Sequence, residues 1–524
     1  KRGEAQAVPA HVSGPIPNHH HTSHLVNSEC QGRQAASLAM CPLDPKRGMQ
    51  DAPSIPDVID EIGFGPGQVV PIWVACGTFL AEGMELLLVS MLSPSIVSDV
   101  GVSGGIQGGC LISSIVAGAF VGNIVSGPFA DRVGRQQPVI MGYSLVVIFS
   151  VWSSFMNSIF SISIFRFFVG LGFGLGQSAG IALANELVPK ALHFTGTCFS
   201  SFLCSLGAIF AVLLVMVNHA WLQEFSITEW RLLLRCAAVP VSVLGLVGVF
   251  LLPESPSFLA ASGDHAAARD VLARLRQHNG LPPRRPELLG TEKAQQLSSA
   301  WLCTVNGLFC NATALMQTVI LCMTTLALNF ALYGSGYAMP QVLTQILPTA
   351  NFSMAPASVL LIGLALVSIL LLVTMFRGTW LSPKAGLALC LVASAASALL
   401  FCWTTDATEP SSLVKRLLLI LASFGLFGGP TFGFLFVVQL SSLLYPTLTS
   451  ATGIAVCLGV GRLGAIAAPL FFGAVQEVAG AWKPFFITMA LLELGCLIVL
   501  MPLSIHSMEP LDASQFSRGK ADAP

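Results

Sequence analysis

Charge is what this sequence has least of: Lys, Arg, Asp and Glu together make up 10% of its 524 residues, where soluble domains carry about a quarter. A water-facing shell cannot be built from so few polar groups, so an ordinary soluble fold is excluded. The net charge of −1 leaves no basic face for nucleic acid. Catalytic signatures are also missing. No Walker loop, HExxH or Gly-x-Ser-x-Gly occurs, which argues against ATP-driven work and hydrolysis. No cofactor and no metal site is expected. The 14 cysteines lack metal-like spacing, and twelve lie in or beside apolar segments, as small buried residues do. His19, His20 and His21 could hold a metal weakly but fit a solvated tail better. The chain starts at Lys1 without a signal-peptide pattern, and an incomplete N-terminus is expected.

What is abundant is apolar: 54% of the residues. They gather into segments of about 20 residues, each long enough to cross a bilayer as a helix. The spans fall at 69–91, 106–127, 137–156, 159–183, 196–218 and 232–252, then 317–342, 356–376, 384–403, 415–438, 450–475 and 482–503. The expected fold is therefore an all-α membrane protein of twelve transmembrane helices in two six-helix halves. Residues 1–60 read as a disordered cytoplasmic tail, 61–256 as the first half, 257–315 as a central loop, 316–505 as the second half and 506–524 as a second tail. The central loop carries a short helical pattern near 264–277.

Charge placement gives an independent orientation. With both termini cytoplasmic, 18 of the 25 Lys and Arg lie on the cytoplasmic side, four at outer helix ends and three within spans. This is the positive-inside asymmetry. It predicts that of two glycosylation sequons, at Asn311 and Asn351, only Asn351 faces the secretory lumen. A weak repeat supports duplication. Pro189 after span 4 and Pro446 after span 10 are each followed seven residues later by glycine, Gly196 and Gly453, and both follow Gly-rich helices. Two parallel halves with a solute site between them are a known transporter plan.

Between spans 2 and 3 runs Gly127-Pro128-Phe129-Ala130-Asp131-Arg132-Val133-Gly134-Arg135, which resembles the signature loop of the major facilitator superfamily. Further stretches resemble its synaptic-vesicle-related, organic-ion and niacin or aromatic-acid carriers: Ile62-Gly63-Phe64-Gly65 with Gln68, Ala81-Glu82-Gly83-Met84-Glu85-Leu86, Arg166 with Gly170, Gly172 and Gly174, Pro253-Glu254-Ser255-Pro256, and Gly461-Arg462-Leu463-Gly464. The resemblance covers residues 60 to 510. It implies a secondary transporter of a small organic solute, working by alternating access and coupled to protons. It also implies a cytoplasmic gate of Gly127, Asp131, Arg132, Gly134, Arg135, Glu186 and Glu254, with Asp131 facing the start of span 11 near Ser450, where a helix dipole favours an anion. The chain departs from the family where His193 and Ser450 replace arginines that help lock the halves.

A charge inside a span costs about 2.5–3.5 kcal/mol on insertion scales, so each one points to a partner or a watery cavity. Glu82 and Glu85 in span 1 lie at the depth of Arg166 in span 4, and Glu82–Arg166 is the expected proton-coupling pair, with Glu85 sharing the role. A static salt bridge is the competing reading. Asn329, Tyr333 and Tyr337, four apart in span 7, share one face suited to a flat organic solute. Gln177 is a further cavity candidate. Arg462 in span 11 could bind an anion or bridge to Glu493 in span 12 at similar depth. Two rival functions remain open: a uniporter of organic cations, with Glu82 and Glu85 as counter-charges, and a non-transporting receptor or scaffold on the same fold. The partners expected are a small organic solute, protons and the lipid bilayer.

Overall fold

The computed structural model describes residues 54–101, 105–221, 229–282, 312–347, 354–379, 381–406, 413–444 and 447–501. Among these residues there is no strand. The first half contains α2 (Pro66–Asp99), α3 (Gly105–Val133), α4 (Gln136–Ser153), α5 (Ile159–Leu187), α6 (His193–Trp221) and α7 (Trp230–Leu251). The second contains α10 (Ala312–Ile346), α11 (Met354–Arg377), α12 (Pro383–Asp406), α13 (Leu413–Leu444), α14 (Thr447–Ala479) and α15 (Lys483–Leu500). Eleven of these are long and apolar enough to cross a membrane. The twelfth, α4, has 18 residues and opens Gln136-Gln137-Pro138, which dilutes its hydropathy. These helices are the twelve expected spans. Most run several residues beyond the sequence-based limits, because helical hydrogen bonding continues past the hydrocarbon edge. Their outer faces keep Phe250, Phe376, Leu491 and Ile498 exposed, as lipid requires and water would penalise.

Small residues set how closely the helices approach. A Cβ on Gly118 of α3 would lie 1.9 Å from the Phe167 carbonyl oxygen, and one on Gly170 of α5 only 1.8 Å from that of Ile115. Backbone therefore meets backbone along α3 and α5, the packing that small residues permit in membranes. Gly170→Ala should force the two helices apart and cost about 1–3 kcal/mol. That would appear as a lower unfolding temperature in detergent. Gly127→Ala, facing open space within 4 Å, should leave the temperature unchanged.

The halves meet along two seams, α3 with α14 and α6 with α11. Each seam joins the second helix of one half to the fifth of the other, the crosswise relation a duplicated unit produces. We call the end bearing residues 127–135 the signature-loop face and the opposite end the far face. On the α3–α14 seam, Gly105 packs against Gly473 at the far end, and Gly459 lies near Phe120 midway along.

The signature-loop face carries a small layer of its own. Here α1 (Ile55–Ile62), α8 (Pro256–Ala261) and α9 (His265–His278) bury Ile55, Val58, Ile59, Ile62, Ala260, Ala268 and Leu272 together. The tail expected to be disordered through residue 60 is thus helical from Ile55. Its apolar residues at 55, 58, 59 and 62 follow helical spacing, and the corresponding face on α9 is what orders them. Residues 1–53 lie outside the described residues, as do 283–311 with Asn311, 348–353 with Asn351, and 502–524. Two junctions fix this layer. Glu61 accepts from Arg276 at 3.1 Å, and the Asn279 side chain reaches the Gly67 N–H at 2.9 Å and Gln68 at 3.0 Å. The last contacts explain the Gly-rich entrance motif. A Cβ on Gly65 would sit 2.5 Å from Asn279.

Candidate solute and proton site

Four helices, two from each half, bring polar side chains to one point in the middle of the bundle. Glu82 of α2 receives the Tyr333 hydroxyl of α10 at 2.8 Å and the Arg462 guanidinium of α14 at 2.9 Å, both on Oε1. Its Oε2 accepts from Gln177 of α5 at 2.6 Å. Arg462 also donates to the Tyr333 hydroxyl and, at 3.3 Å, to Gln177 Oε1. Its guanidinium lies 5.5 Å from the Tyr333 ring centroid. The Glu82 side chain is 5% exposed and that of Arg462 15%. Charge-assisted bonds of this kind are short and strong in a low-dielectric interior.

Arg166 is not in this cluster. It pairs with Glu85, Nη1 to Oε2 at 2.6 Å, and both side chains are fully buried. Ser150 of α4 donates to the other Glu85 oxygen at 2.6 Å, and Arg166 Nη2 reaches Ser153 at 2.9 Å. The expected Glu82–Arg166 pair is therefore corrected: the two carboxylates take different cations. Three residues along a helix turn about 300°, leaving the side chains some 60° apart. That offset turns Glu85 toward α4 and α5 and Glu82 toward the second half. On α5, Arg166 and Gln177 stand eleven residues apart, about three turns, so one face of α5 serves both glutamates. Arg462 likewise does not bridge to Glu493, which is buried in α15 near Ser394 of α12. Arg235 lies at the far-face end of α7, bonded to Ser154 at 3.0 Å and over the Phe155 ring.

The three polar residues of α10 divide. Tyr333 joins the cluster. Asn329 donates to the Thr325 carbonyl of its own helix at 2.9 Å and packs where Gly461 leaves room. Tyr337 is 2% exposed, edge-on to Phe472, with its hydroxyl at Gly108 and Ser93. A spacing of four drifts by about 40° each step, so the shared face twists away from the centre over two turns.

At the signature loop, the residues expected at the gate tie the first half to itself. Arg135 bonds Asp131 at 3.2 Å and approaches Glu186 at 3.5 Å. Glu254 accepts the backbone N–H groups of Arg135 at 2.7 Å and Gln136 at 3.2 Å. It therefore caps the N-terminus of α4 from just beyond the end of α7, where orphan N–H groups and the helix dipole favour an anion. Gly134 has φ +102, and a Cβ there would lie 2.1 Å from Glu254 Oε2, so glycine is required on both counts. Ser255 bonds Glu186 and caps α8. Arg132 is exposed, and Gly127 has open space beside it. The Asp131 side chain is 71% exposed and bound to Arg135 of its own loop, while the side chains at the start of α14, which the resemblance gives it as a partner, lie outside the described residues. His193, at a family arginine position, contacts the Asn185 carbonyl at 3.1 Å. The Ser450 side chain is outside the described residues.

A family model described as "Sugar (and other) transporter" matches residues 91–511. The chain belongs to this family. It has the multi-pass membrane fold of the major facilitator superfamily, and the family it belongs to is one of transporters, not enzymes. It is 25% identical over 418 residues to the 4-hydroxybenzoate transporter PcaK of Acinetobacter baylyi, covering 74% of this chain and 80% of the relative. It is 30% identical over 203 residues to an arabinose-proton symporter of Bacillus subtilis, covering 36% and 41%. The solved proton:xylose symporter XylE shares the fold with a TM-score of 0.61 at 16% identity, over 85% of this chain and 98% of that one. Against several other curated relatives the chain spans less than half of their length. The aromatic-acid relative agrees with the carrier group that the motifs resemble.

Sequence reasoning missed Ser150, Ser153 and the capping role of Glu254. Two serines in an apolar helix carry no signal of their own. Glu254 is expected at the gate, but its capping of α4 becomes visible only once the turn at Gly134 brings that helix to it.

Proposed function

We propose that the protein carries a small organic solute together with protons by alternating access, and that Glu82 binds the proton. The observation that carries this reading is the Glu82–Gln177–Tyr333–Arg462 cluster, in which one anion and one cation neutralise each other across the two halves at the meeting point of four helices. A solute carboxylate arriving at Arg462 competes for the guanidinium that Glu82 now holds. The displaced Glu82, desolvated and without a cation, then takes a proton. Solute and proton are thereby bound together, and the tie between the halves is released. Tyr333 offers an aromatic face and a hydroxyl to the same solute. Support comes from the aromatic-acid and proton-symporter relatives. The orientation inferred from charge makes the signature-loop face cytoplasmic. Asp131 is exposed at that face while the halves are bonded at the opposite one, so this is read as the inward-facing state.

The cation-uniporter reading fits less well, because Glu82 already has a cation of the protein's own. Uptake into proteoliposomes under an imposed pH gradient tests the choice with three probes: 4-hydroxybenzoate, D-xylose and tetraethylammonium. Proton-driven accumulation of the first supports the proposal. Accumulation of tetraethylammonium driven by voltage alone would replace it with the uniporter. No flux of any probe or of related solutes would favour a receptor.

A further inference from the structure

The α3–α14 seam is antiparallel with a constant register. Gly105 lies against Gly473, Gly109 against Pro469, the Ser113 hydroxyl on the Ile466 carbonyl at 2.7 Å, and Phe120 near Gly459. At the far end a charged group crosses it. Glu477, one turn beyond Gly473 on α14, accepts the backbone N–H of Ile106 at 3.1 Å. Ile106 is the second residue of α3, a 29-residue helix, so its N–H is one of the four that have no partner within the helix. The positive end of the helix dipole adds to the attraction.

The same pair of helices carries the reverse arrangement at its other end. Stepping eleven residues on from Phe120 and eleven back from Gly459 brings Asp131, near the end of α3, level with Leu448, the second residue of α14. Each helix therefore ends in a carboxylate whose register matches the N-terminus of its partner. In this structure the Glu477 contact is made, while Asp131 is exposed and bound to Arg135.

We infer that Glu477 is the far-face latch of the transport cycle: its carboxylate holds the far face shut by capping α3 across the seam. It is released when Asp131 caps α14 at the signature-loop face. The two contacts exclude each other because rocking the halves about the Ser113–Phe120 region closes one end as it opens the other. The inference rests on the alternating-access reading above. It adds a positioning residue that touches neither solute nor the central cluster.

The test reads accessibility, not transport. Ser93 is buried at the far end of α2, beside Gly108 and the Tyr337 hydroxyl. Ser93→Cys is thus a reporter whose labelling by a membrane-impermeant maleimide, added at the far face, requires the halves to part there. The unsubstituted protein gives the background from native cysteines. A dipole–carboxylate contact corresponds to a population change of roughly two- to fivefold. Glu477→Ala should raise the labelling rate by that factor. Glu477→Gln, which keeps the acceptor oxygen and the shape but not the charge, should fall between. Asp131→Asn should change the rate in the opposite direction. An unchanged rate in both Glu477 variants, with a parental chromatographic profile, overturns the latch. So does a rise in all three variants, since general loosening has no direction. If the function reading alone is wrong, proton-driven uptake is absent while these labelling shifts persist.

Discussion

Glu82→Gln is expected to abolish proton-driven accumulation while leaving solute exchange within a few-fold of the parent. Each pH unit corresponds to 1.36 kcal/mol per proton. A two-unit gradient coupled one to one can therefore sustain an accumulation ratio of about 100, and the substitution should reduce it to about 1. Glutamine mimics the protonated acid and keeps the hydrogen bonds to Gln177 and Tyr333, so the cluster can still open and close. What it cannot do is carry the proton back. Exchange needs no net proton movement and should survive. Measuring both in the same vesicles separates the readings: a binding role for a cationic solute loses exchange as well, and retained accumulation removes Glu82 from the coupling step.

Arg166→Gln should act on stability rather than coupling. It leaves Glu85 buried without its cation, a loss worth about 3–5 kcal/mol when one partner of a buried pair is removed. The unfolding midpoint and the monodisperse yield in detergent should both drop sharply. The double variant Glu85→Gln/Arg166→Gln removes both charges and should recover more than half of that loss, because two amides can still bond Ser150 and Ser153. If Arg166→Gln unfolds like the parent, the pair does not hold the first half together. A coupling role for Arg166 predicts a different outcome, a stable protein that exchanges but does not accumulate.

These two expectations differ because the structure separates two glutamates that the sequence places together. Hydropathy and charge locate every span, since the bilayer imposes its thickness on the pattern whatever the helices touch. The same reasoning finds Glu82, Gln177, Tyr333 and Arg462 as groups with no business in lipid. It cannot assign partners, because depth is read from position along a helix whereas pairing depends on rotation about it. Arg462 matches Glu493 in depth, and only the direction in which α14 faces gives it to Glu82 instead. Helix α1 shows the opposite case. Its spacing is helical, but the polar, proline-rich stretch before it hides four apolar residues whose order depends on α9, over 200 residues away. Asp131 is legible from the loop signature, yet its pairing with Arg135 is not, because the pattern does not say which neighbour a side chain turns to.

The central ion pair also has a history in time. Glu82 and Arg462 lie 380 residues apart in the chain, whereas Glu85 and Arg166 are separated by 81. At a synthesis rate of about 5–20 residues per second, the Glu85 charge waits roughly 4–16 s for its partner and the Glu82 charge roughly 20–80 s. During that interval α2 must be held by the insertion machinery, or in contact with Gln177, with an uncompensated carboxylic group at membrane depth. The first half can settle its own charge while the second is still on the ribosome. The central cluster is completed only when the next-to-last span arrives, so a nascent chain stalled before α14 should be a bundle in which Glu82 has no cation.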